Sequence, residues 1–118
     1  YTMNFCLLLG TEYFPVNPNE PHILFLEDHE KYSGLGQVSA FLARIEQSDF
    51  MRSVTGLIFG NYCDRPCPEL YARLKLLGER NHIPVVYCDD FGHGKNHAIL
   101  PIGAKAVLDA ENQTLRYQ

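Results

Sequence analysis

The chain has 118 residues, 46% of them hydrophobic and 20% charged, with 14 acidic against 10 basic side chains and a formal charge of −4. This suits one domain with a real core and no disordered block. It offers no basic face for nucleic acid, and apolar runs such as Val54 to Phe59 fall far short of the roughly 20 residues that cross a bilayer.

No signal peptide precedes the domain, and because the sequence starts at Tyr1 without an initiator Met, what lies upstream stays open. Asn4 to Leu9 is a short apolar run closed by Gly10, either the tail of a helix or a buried turn. The Pro- and Asn-rich stretch from Pro15 to Pro21 must be a loop, since Pro lacks the donor that a helix or ladder needs. Ile23 to Leu26 is continuously apolar and bounded by turn residues, which predicts a strand buried on both faces.

Leu35, Val38, Leu42 and Ile45 recur at helical spacing and predict a helix over Leu35–Ser48 with one buried face. Val54 to Phe59 predicts a second buried strand, which Gly60 and Asn61 would let the chain leave. Asp64 and Pro66 resemble a helix start, and Leu70, Leu74 and Leu77 mark the buried face of a helix reaching Asn81. A short strand begins at Pro84–Tyr87, and three more are expected at His97–Leu100, Ala104–Asp109 and Thr114–Tyr117, the last two as a hairpin. The expected fold is a single α/β domain over residues 1–118, with a mixed sheet, helical crossovers and C-terminal antiparallel strands.

Polar groups that could do chemistry gather where the apolar strands stop: Glu27, Asp28, His29 and Glu30 after one, Asp89, Asp90 and His93 after another. Strand ends are where α/β sites assemble, because a rigid sheet holds a group that stays reachable. Spacing alone nonetheless favours solvated loop charges. His93 lies between Gly92 and Gly94, which leaves its backbone free for positive φ and for close approach by a substrate or another domain. Spacing alone slightly favours a plain loop histidine, with the glycines serving only turn geometry.

Cys63 with Cys67, Cys88, and His93 with His97 raise the question of zinc. Pro66 interrupts the first pair and Gly94 the second, unlike a knuckle or a helical histidine pair, so no metal or other cofactor is expected. The four cysteines, Cys6 included, follow no secreted disulfide framework and point to a reducing, cytoplasmic setting. None of Ser33, Ser39, Ser48 and Ser53 has the elbow context of a nucleophile. Cys88, near His93 at a strand end, is a conceivable nucleophile, although strand cysteines are commonly inert packing.

The segments NFCLLLGTEYFP, ILFLEDHE, VTGLIFGNY and FGHGKNHAILPIGAKAVLDA occur in the order seen in the C-terminal domain of the LD-carboxypeptidase and microcin C immunity family of serine peptidases, and the chain resembles that domain over almost its whole length. The resemblance implies a swivelling β/β/α-like domain within a two-domain, homodimeric enzyme. The N-terminal domain, absent from this chain, would hold the nucleophilic serine and oxyanion donors. The C-terminal domain would contribute a glutamate and a histidine, by motif position Glu27 and His93, with Asp28 the nearest rival for the carboxylate. Substrates of the family are murein tetrapeptide, in cytoplasmic peptidoglycan recycling, or the peptide and aminoacyl nucleotides of the microcin C class.

This chain departs from the family in FGNYCDRPCP, where relatives often place a basic residue after the glycine, and in His29 after LED. Asn4 resembles the asparagine of the family's GGN segment, whose glycines are missing here. The resemblance also implies that the face carrying Glu27 and His93 docks on the other domain, with Tyr13 and Phe91 as expected members of an exposed apolar cluster. A non-catalytic binding module is the alternative of another class, since the chain by itself offers no attacking serine.

Overall fold

An apolar segment such as Ile23 to Leu26 must leave water, and as a strand it sends alternate side chains to opposite faces. In the computed structural model, which describes residues 1–118, this segment is strand β1 (His22–Leu26). It follows a short helix α1 (Thr2–Leu8) and leads to helix α2 (Leu35–Glu46), a 3₁₀ turn (Asp49–Ser53) and strand β2 (Val54–Asn61). Helix α3 (Pro68–Asn81) and strand β3 (Val85–Gly92) come next, then strands β4 (Ala106–Asp109) and β5 (Thr114–Tyr117).

β1, β2 and β3 form a parallel sheet in that order, while β4 and β5 make an antiparallel hairpin of their own. The α/β domain with helical crossovers and C-terminal antiparallel strands is thus present, with the two strand directions in separate sheets. The core lies between one sheet face and the helices. Val38, Leu42 and Ile45 of α2, Leu70 and Leu77 of α3, and Leu57 and Phe59 of β2 are fully buried there. No helix is long and apolar enough to cross a membrane.

On the opposite face, Phe25 meets Phe91 edge-on at 5.9 Å, and Leu108 of the hairpin lies over Gly56, where a Cβ would sit 3.1 Å from its methyl carbon. This cover is partial. β2, the central strand, is buried on both sides, whereas in β1 only Leu24 and Leu26 are buried and Ile23 and Phe25 stay half-exposed. Full burial of β1 on both faces is therefore not what the fold provides, because β1 is an edge strand.

Several elements differ from the sequence expectation. α3 starts at Pro68 rather than near Asp64, because Pro at the first helical position gives up only an N–H that would be unpaired anyway. His97–Leu100 is no strand: it is irregular, Ile99 is 89% exposed, and Pro101 comes next, so the segment has neither a buried face nor a partner. Gly60 and Asn61 remain within β2, where Gly60 is needed for space rather than for freedom, since a Cβ there would stand 2.8 Å from the Phe91 ring.

α3 ends at His82 in the left-handed region (φ 54°, ψ 41°), with the N–H of Ile83 returning to the carbonyl of Gly78. A side chain in that conformation is strained where glycine is not. His82→Gly is expected to stabilise the domain by about 0.5–1 kcal/mol. The urea midpoint is the measurement, and a lowered midpoint would refute the expectation.

Candidate active site

The end of β1 is anchored by Thr2. The N–H and hydroxyl of Thr2, itself wholly buried, both donate to the backbone carbonyl of Glu27, at 2.9 and 3.0 Å. After β1 the chain turns through residues 28–33. There the N–H groups of Tyr32 and Ser33 reach the His29 carbonyl, and the Tyr62 hydroxyl donates to the Ser33 carbonyl at 2.8 Å. Asp28 is completely buried, and its Oδ1 accepts the N–H of His29 at 2.9 Å. Such a carboxylate serves the turn, as capping side chains do.

Glu27 and His93 meet at this end of the sheet, with Oε2 of Glu27 3.8 Å from Nδ1 of His93 and side chains 33% and 27% exposed. That is ion-pair distance, about 1 Å beyond a hydrogen bond. Nδ1 is buried and has no hydrogen-bond partner of its own. The other ring nitrogen, Nε2, pairs with the hydroxyl of Tyr1 at 2.7 Å. Asp28, the rival carboxylate, holds the His29 N–H with Oδ1, while its Oδ2 is buried without a hydrogen-bond partner.

Aromatic rings surround the imidazole. Tyr1 stands 5.1 Å from the His93 ring, His29 5.2 Å and Tyr32 6.3 Å, centroid to centroid. Burial, together with the nearby Tyr32, Glu27 and Asp28, raises the Tyr1 hydroxyl above its ordinary pKa, so it stays protonated and able to donate to Nε2. His29 accepts the N–H of Lys31 on Nδ1 at 3.1 Å, which leaves its Nε2 as the protonated nitrogen.

Exposed aromatic surface thus lies beside the pair, built by Tyr1 at 46% and Tyr32 at 68% exposure rather than by the two residues expected. Phe91 is buried on Phe25 because it covers the glycine of β2. Tyr13 is exposed but is not among the rings that flank His93. Reading the sequence missed Tyr1, Thr2, Tyr32 and Asn61. Contacts between residues 25 or more positions apart carry no local signal, although Tyr32, five positions after Glu27, was within reach of a search along the same loop.

Two of the four sulfur atoms, those of Cys63 and Cys67, are engaged locally. Cys63 Sγ donates to the Arg65 carbonyl at 2.9 Å, Cys67 pairs with Glu69, and Cys88 is half-buried in β3. No three His, Cys, Asp or Glu side chains converge as metal ligands. Beside them Tyr87 accepts the N–H of Tyr62, and burial pushes its hydroxyl up to about 12. Ser39 accepts a hydrogen bond from Arg73, and Ser53 donates to the Phe50 carbonyl.

The two nitrogens of the imidazole decide what the site can do chemically. A carboxylate facing Nδ1 favours the tautomer with the proton on that nitrogen, which leaves Nε2 a base for an incoming hydroxyl. Residues 2–108 match the sequence pattern described as the LD-carboxypeptidase C-terminal domain. A provisionally named carboxypeptidase of Treponema pallidum is 29% identical over 117 residues, covering 97% of this chain and 34% of its own length. One from Synechocystis is 32% identical over 115 residues, covering 92% of this chain and 37% of its own. The crystal structure of muramoyltetrapeptide carboxypeptidase from Oxalobacter formigenes superposes with a TM-score of 0.68 at 27% identity, over 89% of this chain and 38% of that one. The chain spans about a third of the length of the curated relatives it matches.

Proposed function

Since the chain belongs to the family of LD-carboxypeptidase C-terminal domains, we propose that it supplies the acid–base pair of a serine carboxypeptidase that releases a terminal D-amino acid from murein tetrapeptide. The observation that carries this reading is the pairing of Glu27 with Nδ1 of His93 while Nε2 already holds a hydroxyl, that of Tyr1, at 2.7 Å. A hydroxyl at that nitrogen stands in for the nucleophile. His93 would take the proton of a serine borne by an N-terminal domain outside this chain and return it to the leaving amine. Glu27 would hold the ring and stabilise the imidazolium. Tyr1 must yield its place when the serine arrives.

The substrate reading rests on the muramoyltetrapeptide carboxypeptidase to which the fold is similar. The cytoplasm, where murein peptides are recycled, is the proposed setting, and a homodimer the proposed assembly. By itself the 118-residue chain is expected to release no amino acid from murein tetrapeptide, while the full-length protein does. Release of product is the measurement. Turnover by the pure chain, surviving a control for contaminating peptidase and abolished by thiol alkylation, would replace the missing serine with Cys88. Cleavage of an aminoacyl nucleotide in preference to tetrapeptide would move the substrate to the microcin class.

A further inference from the structure

β3 does not track β2 residue for residue. Gly60 stands opposite Cys88, yet the next residue, Asn61, stands opposite Gly92, so Asp89, Asp90 and Phe91 bulge out of the pairing. A bulge bends its strand and re-aims the side chains beyond it. His93 is the first side chain past this one, since Gly92 carries none. Asn61 touches both ends of the bulge: its Nδ2 donates to Oδ1 of Asp89 at 2.9 Å, and its backbone carbonyl accepts the N–H of His93 at 3.4 Å. Gly92 (φ 94°) and Gly94 are moulded against it, since an added Cβ would come 2.9 Å from the Asn61 nitrogen at the first and 3.0 Å from its Cγ at the second.

We propose that Asn61 and Asp89 form a clamp across this bulge that sets where the His93 imidazole stands against Glu27, which makes Asn61 a positioning residue for the pair. The inference rests on the reading of His93 as general base. The pair sits at 3.8 Å, where a displacement of about 1 Å separates contact from none, and errors of that size cost on the order of 10²-fold in rate.

The test is a double-mutant cycle in the full-length protein with murein tetrapeptide as substrate. Asn61→Ala and Asp89→Ala are each expected to lower kcat on the order of tenfold with KM unchanged, and the double variant to lose no more than either alone. Asp89 is exposed, so its variant folds even where the other is impaired. Both single variants should shift the imidazole ¹⁵N resonances of His93. Losses that multiply to about 100-fold would overturn the clamp, as would a raised KM with kcat intact, which would put Asn61 on the substrate. Wild-type kcat in both, beside an inactive His93→Ala, would overturn it while sparing the general base. Activity retained by His93→Ala would remove the general-base reading itself, and this inference with it.

Discussion

Glu27→Gln in the full-length protein is expected to lower kcat by about 10³–10⁴-fold while leaving the fold intact. The amide keeps the size of the carboxylate but can present an N–H to Nδ1, which favours the tautomer whose Nε2 is already protonated and cannot accept a proton. Asp28, the neighbouring carboxylate, is fully buried, with Oδ1 committed to the His29 N–H. His93→Ala should be at least as damaging. Asp28→Asn makes the informative contrast: it disturbs a buried, capped turn and should be read mainly in the thermal midpoint. Steady-state kinetics on murein tetrapeptide decide the matter. A silent Glu27→Gln beside a severe Asp28→Asn would move the carboxylate by one residue.

The largest effect on stability is expected at Arg73. Its guanidinium joins Glu46 of α2 with both side chains nearly enclosed, 14% and 13% exposed, and its Nε donates to Ser39 at 3.1 Å. Asn81 donates to the other Glu46 oxygen at 3.1 Å. Arg73→Ala leaves an almost buried carboxylate with a single neutral partner, which costs about 3 kcal/mol, or roughly 10 °C in the thermal midpoint for a chain of this size. Replacing Arg73 and Glu46 together by leucine should recover much of the loss, because no charge is then stranded. A loss of under about 1 kcal/mol for Arg73→Ala would mean that solvent screens the pair as it does on open surfaces.

The central elements were legible because they obey short-range rules. Val38, Leu42 and Ile45 repeat at helical spacing, and Val54 to Phe59 has no stable place except between two covered faces, so α2 and β2 fall where periodicity puts them. Glu27 and His93 were singled out through motif resemblance, and they lie 3.8 Å apart although spacing alone favoured neither. The length of β3 escaped detection. Val85 to Tyr87 reads as a strand, but Cys88, Asp89 and Asp90 look like its end, and only pairing of Gly92 with Asn61 beyond the bulge carries the strand on to His93. Phe91 was misread for the same reason: an aromatic beside two aspartates looks exposed until a glycine on the neighbouring strand opens a slot for it.

Glu27 lies just past the first strand of the sheet and His93 just past the third, with β2 running between them. Neighbouring strands lie about 4.8 Å apart and turn by roughly 20–25° from one to the next, so the two side chains are the jaws of a caliper mounted on outer rails. Its opening depends on the rail between them. Drift in β2 that merely loosened another fold would here be read directly in the gap between carboxylate and imidazole, so under the proposed function the middle strand answers to catalysis as well as to folding.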